Sequence, residues 1–258
     1  MHHAYIDKFA YQDSIIHRLD SRVKFLATLV FTVMVLSLSR TSVSILTCCA
    51  VGPFTVLVLA KIPLRFAFKQ VLLVSPFVLI LALSCPLYDK TPLVVAFGPF
   101  VLRTSVGWMR CFAILGKFAV TMLALIALVS TTRFGDLLTG LGRLGVPNLL
   151  LIQLGLLYRY IFVLIDRAGR ILRARAGRKL RNLGLKPELK IAAAMVGSLL
   201  IRSIETAEHI NIAMQGRGFD GNWHSLSESR IHHRDVWFGF IAVSFILLLY
   251  FFVRPILQ

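Results

Sequence analysis

Residues 166–221 read DRAGRILRARAGRKLRNLGLKPELKIAAAMVGSLLIRSIETAEHINIAMQGRGFDG. Eleven Lys or Arg side chains against five Asp or Glu keep this stretch out of a hydrocarbon core. The chain on either side of it is apolar in long runs. A water-facing region enclosed by such runs predicts an all-α, polytopic membrane protein. At two places in the stretch an arginine stands between small residues, Ala174-Arg175-Ala176 and Gly216-Arg217-Gly218. Small neighbours let another backbone approach, and a guanidinium can then bond a carboxylate or carbonyls in a plane. The two triplets are therefore the expected docking points for a soluble partner.

Composition agrees with that reading. The 258 residues are 57% hydrophobic yet carry a formal charge of +17. A soluble core that apolar would leave too little polar surface to cover it. Apolar spans joined by cationic loops reconcile the two values. Cys48, Cys49, Cys85 and Cys111 lie in or beside apolar runs, without zinc-site or disulfide-framework spacing. The first apolar run follows a polar lead of more than twenty residues, which is not the form of a cleavable signal.

Five apolar spans are expected, at 25–39, 43–60, 70–87, 107–131 and 236–253. Residues 149–165 are apolar enough for a sixth, but Arg159 and the following Asp166 favour a long helix partly sunk in the membrane. Between the third and fourth spans, Pro92, Gly98 and Pro99 leave open two short strands or a re-entrant turn. Arg110 and Lys117, seven apart in the fourth span, mark a face turned to protein or water. Sixteen of the 29 cations fall in 132–235, and others cluster before the first span and in the 61–69 connector. The positive-inside rule puts all three regions, and hence the N-terminus, in the cytoplasm. Residues 1–131 thus form an N-terminal segment with four spans, 132–235 a cytoplasmic or interfacial helical region, and 236–258 the last span with an external C-terminus.

Within 132–235, a short amphipathic helix should end near Gly145-Val146-Pro147, followed by one helix from Asn148 to Leu183. On its basic half Arg167, Arg170, Arg178 and Arg181 fall broadly on one side. Arg175 falls nearer Leu164, Ala168, Ile171 and Leu172. Gly184 suits a left-handed helix stop, and Pro187 an early position in a second long helix over about 188–215.

Catalytic signatures are missing. There is no G-x-x-x-x-G-K-[ST] phosphate loop and no G-x-S-x-G, so neither ATP nor any other cofactor is expected in this chain. His2-His3 and His224 with His232-His233 could hold a metal only with a further fixed ligand, and read better as solvated loop residues. Glu205, Glu208 and His209 form half of a di-metal pattern without its second half, and read as a wet helix face.

Three stretches carry a resemblance: HRLDSRVKFLATL (17–29), Arg173-Ala174-Arg175-Ala176, and AMQGRGFDG (213–221). In order and spacing the chain resembles the transmembrane (T) component of energy-coupling factor transporters, in particular the cobalt/nickel Q-type subunit of the CbiQ family. Departures are Ser21 where the family usually has Pro, Ala176 closing the first triplet and Gly216 opening the second. The resemblance implies a non-catalytic subunit of an ATP-driven cobalt or nickel importer in the bacterial cytoplasmic membrane. Its coupling helices would dock on two ATP-binding cassette subunits, which would bind ATP and Mg. They would do so through Arg175 and Arg217, with Ala174, Ala176, Gly216 and Gly218 permitting close approach. Further partners would be a substrate-capturing membrane subunit, with or without a small accessory membrane subunit. Alternatives are a T component serving a vitamin importer and, from other classes, an integral-membrane enzyme or a membrane-anchored basic binding protein. Nucleic acid is not an expected partner.

Overall fold

A computed structural model describes residues 10–38, 43–88, 92–97, 100–178, 184–221 and 233–253. Eight helices and one hairpin form along them. They are α1 Ser21–Ser37, α2 Val43–Leu59, α3 Leu64–Tyr88, β1 Pro92–Phe97, β2 Phe100–Ser105, α4 Val106–Thr131, α5 Phe134–Arg143, α6 Asn148–Arg178, α7 Leu185–Gly216 and α8 His233–Val253. The architecture is the expected all-α membrane class. Between the third and fourth spans the structure chooses strands, paired antiparallel from Pro92 opposite Ser105 to Phe97 opposite Phe100.

Each of the five expected spans lies on a helix. Among the described residues, Leu64–Leu87, Val106–Thr131 and Asn148–Arg178 are long and apolar enough to cross a membrane, while Leu46–Leu59 and Asp235–Phe245 are shorter apolar helices. The stretch 149–165, expected to be only partly sunk, thus belongs to a helix of spanning length. Helix α3 begins at Leu64, not 70, so Arg65 and Lys69 of the expected connector sit in its first turns. Hydropathy marks where lipid would begin, whereas the helix begins where Pro63 presets the backbone. Phe77, Ile80 and Leu87 of α3 are each more than 70% exposed, an arrangement stable against lipid and not against water.

The described residues divide into two compact units, one of those within 10–140 with 233–253, the other of those within 141–221. In the first, α4 is the hub, packed by α1, α2 and α3. Its buried positions are mostly small, among them Gly107, Cys111, Ala113, Ala124 and Ala127, which bring neighbouring backbones close where no hydrophobic effect drives helices together. Lys117, within this apolar helix, donates to Leu36 O at 3.2 Å and Leu38 O at 2.7 Å. Its cation thus satisfies carbonyls that the end of α1 leaves open, as the protein-facing reading requires.

A buried polar knot joins the ends of α1, α4, α5 and α8. Asp20 caps α1 by accepting from the Arg22 amide at 3.0 Å, and its own amide donates to Asp235 Oδ1 at 2.8 Å. Ser21 Oγ donates to Asp136 O at 2.7 Å. Lys24 Nζ donates to Thr131 O at 3.0 Å and His17 O at 3.3 Å. The stretch 17–29 therefore acts as a clasp. Gly140 is part of it, because a Cβ there would stand 2.6 Å from Ser21 Oγ, whereas a Cβ on Gly135 of the same helix meets nothing within 4 Å. Gly135→Ala should raise stability by up to about 1 kcal/mol through helix propensity. Gly140→Ala should lower it by about 1–3 kcal/mol by displacing the Ser21 hydroxyl. Thermal unfolding of the two variants in detergent should shift in opposite directions.

Candidate partner-docking surface

The second unit is dominated by α6 and α7, of 31 and 32 residues. Their contacts make them antiparallel. Arg175, in the last turn of α6, meets Glu188, in the first turn of α7, at 3.2 Å. Further along, Arg167 Nη1 donates to Thr206 Oγ1 at 2.5 Å and to Arg202 O at 3.4 Å. Helix α7 starts at Leu185, with Pro187 in its first turn and Gly184 before it at φ +80°. Gly184 thus has the expected positive φ, in the role of the residue that precedes α7. Residues 179–183, where the end of the preceding helix was expected, lie outside the described residues.

The two triplets differ in local construction. Ala174 and Ala176 are exposed, while the Arg175 side chain between them keeps 25% of its surface and leans on Glu188. Gly216, Arg217 and Gly218 are exposed at the end of α7. There Gly218 N donates to Gln215 O at 2.9 Å and Phe219 N to Met214 O at 3.1 Å. With Gly218 at φ +76°, these two bonds form a Schellman stop that holds Arg217 on the helix's last corner. An L residue with a side chain at position 218 would be strained by about 1–2 kcal/mol.

Because the helices are antiparallel, the two arginines stand at opposite ends of the pair. From Glu188, which touches Arg175, to Arg217 the chain climbs about 44 Å at a rise of about 1.5 Å per residue. The sequence pointed to both arginines but not to Glu188 as the partner of the first. A carboxylate in the first turn after a short connector is the signal that could have found it. Nor does Arg175 stand apart from the other arginines as the helical wheel predicted, since Arg170, Arg175 and Arg178 line one groove facing α7. A groove takes in a wider arc of the helix than the wheel assigned to one side.

Glu205, Glu208 and His209 are exposed on α7, as a wet face requires. No cluster of three metal-ligating side chains occurs among the described residues. His2, His3, His224 and His232 lie outside them.

Residues 12–228 match the family model described as cobalt transport protein, CbiQ. The chain belongs to the CbiQ family. Its similarity to the nickel permease LarQ of Lactiplantibacillus plantarum is 31% identity over 106 residues, 41% of this chain and 38% of that protein. Against the cobalt transport protein CbiQ of Rhodobacter capsulatus it is 33% over 103 residues, 39% of this chain and 41% of the relative. An uncharacterized protein of Methanocaldococcus jannaschii is 29% identical over 127 residues, 49% of this chain and 44% of its own. The aligned segments thus span about two fifths of the relatives' length. Membership in the CbiQ family makes this chain a membrane protein of a transport family, in agreement with its apolar helices.

Proposed function

We propose that this protein is the energy-coupling membrane subunit of an ATP-driven importer of cobalt or nickel ions. The names of the two characterised relatives support a metal cargo over a vitamin. The observation that carries the coupling reading is the placement of Arg175 and Arg217 at opposite ends of one antiparallel helix pair. Two arginine corners about 44 Å apart suit docking on two separate subunits better than on one site. In this reading two ATP-binding cassette subunits hold ATP and Mg and move the corners as they close and open. The helix pair passes that motion to a separate substrate-capturing membrane subunit. The chain itself performs no catalysis and holds no cofactor, and its N-terminus and the cationic end of the helix pair face the cytoplasm of a bacterial inner membrane.

Co-expression with two cassette ATPases from a metal importer tests the proposal. The expected result is a complex that survives purification and whose ATPase activity responds to the capturing subunit. Absence of any ATPase from the purified membrane protein, with the chain itself folded, would overturn it.

A further inference from the structure

Two cavities of about 430 and 670 Å3 are lined by α6 and α7 and follow one another along the pair, with the Arg167 bonds to Thr206 and to Arg202 O at their junction. On α6, Leu156, Tyr160, Val163 and Arg167 line the first, and Arg170, Ala174 and Arg178 continue the same three-and-four spacing into the second. On α7, Ile191, Met195, Ser198 and Arg202 lead in the same way to Thr206, Ile210 and Met214. The groove therefore changes character along its length. Its first part is apolar, closed off at one end by Phe219. Its second part carries Arg170, Arg175, Arg178 and Arg202 against the single carboxylate of Glu188. Glu188 is engaged with Arg175, and the lining of this part holds three further arginines and no second carboxylate.

We propose that this groove binds one anionic phospholipid, its phosphate held by Arg170, Arg178 and Arg202 and one of its two acyl chains laid along the apolar part. Guanidinium groups match phosphate oxygens in pairs, and three arginines besides the engaged Arg175 line the one recess. A soluble anion would use only the cationic part, and an apolar helix of another subunit only the other. An amphiphile of negative headgroup satisfies both, in the order in which the groove presents them. Volumes of this size lie within the range of about 300–1,000 Å3 usual for ligand pockets. The lipid would fill the recess between α6 and α7 and stiffen the pair. Its binding does not depend on the coupling role proposed above.

The test uses the full chain alone, purified in detergent without partner subunits, and native mass spectrometry with added lipid. Phosphatidylglycerol should be retained as one copy per chain and phosphatidylcholine should not. Retention should fall at least tenfold in Arg170→Gln/Arg202→Gln, and also in Ala207→Trp, which fills the apolar part without changing the net charge. Arg173→Gln, outside the groove, should retain the lipid. Equal retention of the two lipids, or equal loss in Arg173→Gln, would overturn the proposal in favour of an unselective annulus or a diffuse basic face. If inorganic phosphate competes fully while Ala207→Trp is silent, the site takes anions only and the lipid assignment is wrong. A groove that takes up lipid of neither kind but is protected on adding a membrane partner would likewise overturn it, as a helix-docking surface.

Discussion

Arg217→Glu is expected to strip cassette ATPase from the purified complex while leaving the membrane protein folded. The side chain is exposed on a corner fixed by the Gly218 stop, so its reversal removes no internal contact of the Schellman turn, which is made by backbone groups. Losing one partner of a desolvated charge pair costs about 2–5 kcal/mol, and placing a like charge there costs more. The drop in ATPase affinity should therefore exceed tenfold, read by titration of labelled ATPase. Arg175→Glu is expected to have a similar effect for a reason that needs separating, because it also sets two carboxylates against each other at Glu188. The exchange Arg175→Glu/Glu188→Arg restores the internal pair with its direction reversed. If Arg175 serves docking, the exchanged protein regains its thermal stability and stays deficient in ATPase binding. If binding returns with stability, Arg175 only holds the helix pair and the docking role fails. The proper control is Arg173→Glu, since Arg170 and Arg178 share the groove with Arg175.

Asp235→Ala should be among the most damaging single changes in the first unit. Asp235 is 3% exposed, accepts from the Asp20 amide and stands near Lys24, at the N-terminal end of α8 where negative charge is favoured. Removing one member of a buried charged cluster costs about 3–5 kcal/mol. Asp235→Asn, which can keep the acceptor and loses only the charge, should cost about 1–3 kcal/mol. Burial lowers Lys24 from the ordinary 10.5 to about 8, against the raising influence of Asp136, Asp235 and Asp20. Between those two values the unfolded chain holds a proton that the folded chain has released. This group's contribution to stability therefore rises as pH goes from about 8 toward 10.5, and is at its lowest below 8. Unfolding midpoints of the native protein, referred to Lys24→Met across that window, should show the native chain gaining on the variant. A flat difference would mean that Lys24 titrates normally.

Helices were legible because their causes are local. Apolar runs of membrane length, Gly184 before α7 and Pro187 at its start act within a turn of the residues they shape. The membrane class was legible for the same reason, since transfer into lipid is decided by each run's own composition. Lys117 was also recognisable in advance, because a cation in an apolar helix must face something polar. Both candidate docking arginines stood out by their small neighbours. Their distance from each other did not, because it depends on α6 and α7 running antiparallel.

Tertiary structure alone decided which groups meet. Asp235 reaches Asp20 across 215 positions of sequence, and Lys24 reaches Thr131 across 107. Neither pairing leaves a periodic trace, because a buried hydrogen bond needs only one donor and one acceptor brought within 3 Å. The same holds for the groove between α6 and α7. Composition determined that this region would be cationic and that its flanks would enter a membrane. Only the packing of one helix on the other gathered Arg170, Arg178 and Arg202 at one end of an apolar channel, because the distance between charges on separate helices is set by the helices' contact and not by their order in the chain.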